Sequence, residues 1–286
     1  MGEFVRIFEM APRDGLQNEK RLLSTAEKTR LVDMLSDCGL QKIEATSFVS
    51  PRWVPQMVDA AEVMAGIRRA PGVVYAVLVP NLKGYEAARA AKADEVAVFA
   101  SASETFSRRN INCSIAESLE RFRQVLAAAA ADAIPVRGYV SCVTDCPYEG
   151  PIPPAAAVRV AAELLAMGCY EISLGDTIGQ GTPATISAML DAVLASVPAG
   201  RLAGHYHDTG GRALDNILVS LEKGMCTFDA AVGGLGGCPF APGAKGNVDT
   251  FAVAAMLADK GYEKGLNIER LEAAARFANG LREERP

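Results

Sequence analysis

Val73-Val74-Tyr75-Ala76-Val77-Leu78-Val79 is apolar at odd and even positions alike. A strand with one wet face alternates polar and apolar residues. A run without alternation therefore predicts a strand covered on both sides, as in parallel sheets. Comparable runs precede it at Val5–Met10 and Lys42–Ser47. Others follow at Glu95–Ser101, Val136–Cys142, Tyr170–Gly175, Leu202–His207 and Thr227–Val232. Helical segments lie between them. Ser24-Thr25-Ala26-Glu27 and Ser114-Ile115-Ala116-Glu117 are capping-box starts, and Thr182-Pro183 sets a cap before a first-turn proline. After Ser114, residues Ile115, Leu119, Phe122 and Leu126 form one apolar stripe for docking on a sheet.

Eight strands, each followed by a helix, predict a closed barrel or a doubly wound open sheet. No Gly-x-Gly-x-x-Gly follows the first run, so the open-sheet alternative lacks its phosphate loop. The 286 residues suit the barrel, which typically takes ~250. The expected fold is an α/β single domain, a (β/α)8 TIM barrel over about residues 4–261. An additional C-terminal helical segment, Ile268 to Leu281, then leads into a charged tail.

Half the residues are hydrophobic and 6% aromatic, enough for a full aliphatic core. The net charge of −5, with scattered lysines and arginines, argues against a nucleic-acid surface. No apolar run approaches the ~20 residues of a membrane-spanning helix. The first residues enter a strand-like segment directly, so a cytoplasmic protein is expected. Seven scattered cysteines do not form a disulfide framework. Cys142 and Cys146 lack the second pair a zinc site needs, so buried thiols are expected.

The chain has only two histidines, in Gly204-His205-Tyr206-His207-Asp208. Residues two apart in a strand share a face, so both imidazoles aim into the barrel mouth at the end of the seventh strand. A pair of hydrogen-bonded structural histidines is the plainer alternative. The barrel decides which other chain ends meet them. Strand one ends in Arg13-Asp14, and the loop after strand eight carries Gly246-Asn247. Asp14, His205, His207 and Asn247 can thus converge on one ion from three adjacent strands, with Glu44 and Asp176 flanking the arc. Active sites of this fold lie at these C-terminal strand ends. The mixed oxygen and nitrogen donors suit Mg²⁺, Mn²⁺ or Zn²⁺. Arg13 offers a fixed cationic fork for a developing enolate, or a structural ion pair with Glu44 or Asp176. Residues 232–243 form a glycine-rich stretch read as a mobile lid carrying Cys238, or more plainly as a rigid turn with an inert thiol.

These segments closely resemble the 3-hydroxy-3-methylglutaryl-CoA lyase family, within the metal-dependent barrel enzymes that carry an Asp-Arg-Glu-like signature. The resemblance rests on residues 13–19, 43–51, 138–142, 173–179, 204–209 and 233–239, in order along nearly the whole chain. It implies cleavage of the acyl-CoA thioester to acetyl-CoA and acetoacetate, and a homodimer. It further implies Mg²⁺ or Mn²⁺ held by Asp14, His205, His207 and Asn247. Arg13 would stabilise the enolate, Glu44 would orient Arg13, Asp176 would orient the metal site and Cys238 would take part in proton transfer. Asn18, Lys20 and a loop at residues 107–110 are candidates for contacting CoA.

Two stretches depart from the family pattern. Gly210-Gly211-Arg212 replaces an expected Tyr-Gly-Gln, and Asp249-Thr250-Phe251-Ala252 replaces an expected Ala-Thr-Glu-Asp. The regulatory C-terminal cysteine of some animal relatives is also absent, since the last cysteine is Cys238. Three competing readings follow: a lyase for a longer or differently substituted 3-hydroxyacyl-CoA, a Claisen-type acyltransferase using acetyl-CoA and a 2-keto acid, and a silent binding protein.

Overall fold

A computed structural model describes residues 4–236, 246–262 and 265–282. Eight parallel strands close into a barrel. They are β1 (Arg6–Glu9), β2 (Lys42–Ser47), β3 (Val74–Leu78), β4 (Glu95–Ser101), β5 (Val136–Ser141), β6 (Glu171–Asp176), β7 (Leu202–Tyr206) and β8 (Thr227–Ala230). Each lies within two residues, at either end, of the run expected from the sequence. β1 closes the ring against β8, with Arg6 opposite Thr227 and Glu9 opposite Ala230.

Helices surround the barrel: α1 (Thr25–Ser36), α2 (Ala60–Gly66), α3 (Leu82–Ala90), α4 (Glu104–Ile111), α5 (Ile115–Ala131), α6 (Pro154–Ala166), α7 (Pro183–Leu194), α8 (Ala213–Glu222), α9 (Thr250–Asp259) and α10 (Ile268–Gly280). Both serine capping boxes form, and Thr182 caps α7. The stripe on α5 docks inward, with Ile115, Phe122 and Leu126 buried. Two elements were not expected. A short hairpin pairs residues 145–146 with 150–151 between β5 and α6. Residues 107–110, expected as a loop, belong to α4, which Ser103 caps through the Phe106 amide. α10 packs on α1 and on the single helical turn after β8, and Arg21 Nε donates to the Leu281 carbonyl at 3.0 Å.

The barrel interior is a polar column where branched aliphatic layers are usual. Strand register explains its pairs. Arg137 of β5 lies opposite Glu171 of β6, and Asp229 of β8 lies opposite His205 of β7. Deep in the barrel, Lys42 Nζ meets Glu95 Oε2 at 2.6 Å. Above them the buried Arg137 guanidinium lies over the Phe8 ring and bonds Glu171 and Asp229. Burying charges this way is tolerable only because each is paired and hydrogen-bonded. The apolar residues of the outward strand faces pack beneath the helices, forming the continuous core.

Candidate metal centre

The chain leaves β1 through one turn of π-helix, Ala11–Gly15. Pro12 fits its first turn because the missing N–H has no partner to lose there. Glu9 braces the turn from behind: its Oε1 accepts from the Ala11 and Val232 amides, both at 2.9 Å, and its Oε2 accepts from Thr250 Oγ1 at 2.7 Å. π-turns of this kind often re-aim side chains at functional sites. Here the turn sets Arg13 and Asp14 side by side over the barrel mouth.

Arg13 is held from below. Its Nε donates to Glu44 Oε2 and its Nη1 to Asp14 Oδ1, both at 2.5 Å. Glu44 also accepts from the Tyr139 hydroxyl at 3.2 Å. Burial opposes the charged guanidinium, but Glu44 and Asp14 more than offset this and keep Arg13 protonated. The structural ion pair with Glu44 is present, and Arg13 also lines a cavity.

Asp14, His205 and His207 bring ligand atoms within 4.8 Å of one another. His205 Nε2 lies 3.8 Å and His207 Nε2 4.0 Å from Asp14 Oδ2. Asn247 joins them by donating Nδ2–H to Asp14 Oδ2 at 2.8 Å, and residues 207 and 247 form an antiparallel bridge. The structure thus brings all four expected ligands together. Among the described residues, His207 Nδ1 and Asn247 Oδ1 are buried without a hydrogen-bond partner. An orphaned buried acceptor is costly, and a cation beside Asp14 is a group that would satisfy the Asn247 oxygen, so the donor set fits a divalent ion.

Burial alone would raise the Asp14 carboxyl, but Arg13, the two imidazoles and Asn247 outweigh it and hold it well below the usual range. The carboxylate is therefore ionised. Burial, with His205 and Arg13 as like charges, pushes His207 down to about 4 and leaves it a neutral donor at neutral pH. For His205, burial pulls downward, but the hydrogen bond and charge of Asp229, with Asp14, raise its pKa overall.

Asp176 is placed elsewhere. Ser173 and Gly175 face the barrel interior, so the next residue turns to the helix side by strand alternation. There the buried Asp176 carboxylate accepts from the Gln180 amide at 3.2 Å and the Gly181 amide at 2.9 Å, fastening the loop before α7. Its contact with the metal cluster runs through the backbone, where its carbonyl accepts from the His207 amide at 3.4 Å. Cys238 lies outside the described residues. The glycine stretch is described as far as Gly236, where φ is +95° and an added Cβ would meet Asn247 Nδ2 at 2.5 Å and the Asp14 carbonyl at 3.1 Å. Only glycine lets the chain pass this close to two of the proposed ligands.

Above the cluster opens a cavity of about 530 Å³, lined on one side by Asn18, Ser50 and Trp53 and on the other by Arg109, Asn110 and Arg121. Asn18 and Asn110 thus face the space expected for CoA. Lys20 is not among its lining residues, and Ser107 spends its hydroxyl on the Cys113 carbonyl. The departures from the family pattern lie elsewhere. Phe251 and Ala252 line a different cavity behind Asn247, and residues 210–212 line neither one. Sequence reasoning missed Tyr139, Arg137 and Asp229. Their signal was a charge or hydroxyl at inward positions of apolar strands.

Fold and cluster together define a (β/α)8 barrel with a candidate divalent-metal centre at its C-terminal mouth. The chain belongs to the HMGL-like family, whose model matches residues 4–278. It is 58% identical to the mitochondrial hydroxymethylglutaryl-CoA lyase of Gallus gallus, covering 96% of this chain and 92% of that protein. The HMG-CoA lyase of Brucella melitensis superposes with a TM-score of 0.98 at 66% identity, covering 99% of this chain and 100% of that one. An HMG-CoA lyase from Acinetobacter baumannii, solved with coenzyme A and 3-methylmalate, gives a TM-score of 0.92 at 35% identity, covering 98% and 91%.

Proposed function

We propose that this protein is a divalent-metal-dependent carbon–carbon lyase that cleaves 3-hydroxy-3-methylglutaryl-CoA to acetyl-CoA and acetoacetate. One observation carries the proposal. Asp14, His205 and His207 stand beside a fixed arginine on the floor of a cavity, and Asn247, hydrogen-bonded to Asp14, keeps its buried carbonyl oxygen without a partner among the described residues. The cavity's size, about 530 Å³, suits a small acyl group with the start of a pantetheine arm. The high identity to proteins named for this reaction supports the same substrate.

Cleavage removes the proton from the tertiary hydroxyl, turns that oxygen into the ketone of acetoacetate and breaks the adjacent carbon–carbon bond. The electron pair passes to the departing acetyl-CoA carbon as an enolate, which a proton then quenches. Arg13 presents its guanidinium edge to the enolate oxygen, preorganised by Glu44 so that no reorientation is needed as charge develops. Tyr139 holds Glu44 and closes the floor of the cavity. A Mg²⁺ or Mn²⁺ ion held by Asp14, His205, His207 and Asn247 would supply positive charge toward the substrate oxygens. Asp176 positions the ligand strand through the His207 amide. His205 is both ligand and catalytic candidate, and Cys238 is assigned to the proton exchange that completes acetyl-CoA. The departing residues, 210–212 and 249–252, are not among those lining the acyl cavity, which favours the family substrate over a longer acyl group.

The test is steady-state cleavage by metal-stripped enzyme with and without Mg²⁺ or Mn²⁺. Metal-restored acetoacetate formation is expected. Faster turnover of a longer 3-hydroxyacyl-CoA, or release of CoA from acetyl-CoA plus a keto acid, would overturn it. The proposal includes a cytoplasmic homodimer, tested by cell fractionation and by light scattering at micromolar concentration.

A further inference from the structure

We infer that Asp229 and Arg137 are positioning residues that fix the tautomer and aim of His205, so that its Nε2 lone pair faces the Asp14 cluster. This rests on reading that cluster as a metal site. Asp229 projects inward from β8 opposite His205 of β7, and its Oδ2 lies 3.1 Å from His205 Nδ1. Both residues are buried.

The direction of that hydrogen bond follows from the other partners of Asp229. Arg137 Nη1 donates to Oδ2 at 2.9 Å, Arg137 Nη2 donates to Oδ1 at 2.8 Å, and Ser173 Oγ donates to Oδ2 at 2.8 Å. A carboxylate bound by a guanidinium fork is ionised and can only accept. His205 must then carry its hydrogen on Nδ1, leaving Nε2 free to donate its lone pair. Arg137 is itself immobilised, with Nε on Glu171 at 2.7 Å and its plane against Phe8 and Tyr139. The chain Glu171–Arg137–Asp229–His205 thus runs from the barrel centre to the mouth, every link hydrogen-bonded and buried. Among the described residues His207 has no such partner, and its Nδ1 is unpaired. Of the two imidazoles, the barrel orients one with side-chain charge and the other through its backbone.

With only two histidines in the chain, ¹⁵N-histidine labelling gives two imidazoles to assign. The experiment records their ¹⁵N shifts in metal-free protein above pH 8, assigning His205 by its loss in His205→Gln. Mn²⁺ affinity of wild type, Asp229→Asn and Arg137→Lys is then measured by calorimetry. The expected result is an Nδ1–H tautomer at His205, a 10–100-fold weaker Mn²⁺ affinity in Asp229→Asn, and a smaller loss in Arg137→Lys. A merely structural role would lower the melting temperature and leave both the tautomer and the affinity of the folded protein unchanged. An Nε2–H tautomer in wild type overturns the inference, as does an Asp229→Asn protein that binds Mn²⁺ within twofold of wild type. If Asp229→Asn does not fold, the wild-type tautomer decides. A wild type that binds no Mn²⁺ sinks the metal reading, and the tautomer still tests the orientation by Asp229.

Discussion

Asn247 gives its amide hydrogen to Asp14 across 2.8 Å while its own carbonyl oxygen, buried, has no partner among the described residues. The pair is half satisfied as it stands, and the proposed metal ion is what would satisfy the rest. Replacing Asn247 with Ala removes one oxygen donor. In wild type, Mn²⁺ at about 100 times its Kd should add about 2.7 kcal/mol of stability, a rise of roughly 5 °C or more in Tm. The variant should lose most of that rise, read by thermal melts with and without the ion. An equal rise would remove Asn247 from the ligand set.

Arg13→Lys keeps the charge but loses the fork that joins Glu44 to Asp14. In the proposed role the group acts on charge that develops only during cleavage, so kcat should fall about 10²–10³-fold with KM nearly unchanged. Mn²⁺ affinity should stay within a few-fold of wild type. A loss confined to KM would reassign Arg13 to ground-state binding.

Gly236→Ala places a methyl against the Asn247 amide at a left-handed backbone position. We expect weaker Mn²⁺ binding and about tenfold lower activity, with the far-ultraviolet circular dichroism unchanged. The strain of a side chain at such a φ costs about 1–2 kcal/mol. Full activity would mean that the loop has room to move away.

Burial pushes the Glu9 carboxyl up to about 7, against the lowering effect of its hydrogen bonds from Thr250, Val232 and Ala11. The native state therefore keeps a proton that the unfolded chain releases near pH ~4.3. Stability should fall as pH rises between those values, because the unfolded state binds fewer protons there. Glu9→Gln preserves the acceptor for both amides and cannot ionise. Denaturant melts at pH 5 and pH 8 should show wild type losing about 1–3 kcal/mol relative to the variant across that interval. Parallel pH profiles would mean that Glu9 does not titrate there.

Much of this was legible because apolar runs fix parallel strands, and a closed ring fixes which strand ends meet. Asp14 and Asn247 are 233 residues apart, yet β1 lying beside β8 is enough to join them. The π-turn was not legible, since Ala11-Pro12-Arg13-Asp14-Gly15 has no periodicity of its own and is held by distant Glu9 contacts. Strand alternation, which puts His205 and His207 on one face, also puts Asp176 on the other, so its position was readable in principle. Arg137 and Asp229 were harder. A charge within an apolar strand signals burial, but its partner depends on register between strands 92 residues apart.

The polar column has a charge stoichiometry of its own. Arg13, Lys42 and Arg137 face Asp14, Glu44, Glu95, Glu171 and Asp229 in its ion pairs. With both imidazoles unprotonated, as in the proposed metal-bound form, that leaves an excess of two negative charges, the amount one divalent cation cancels. A monovalent ion would leave the column anionic and a trivalent one would overshoot. On the proposed metal reading, charge balance thus extends along the barrel, from the four proposed donors at the mouth down to the Lys42–Glu95 pair. Lys42→Met would leave Glu95 buried with only the Tyr170 hydroxyl, and a carboxyl so placed takes up a proton in place of its lost partner, so the column keeps its count.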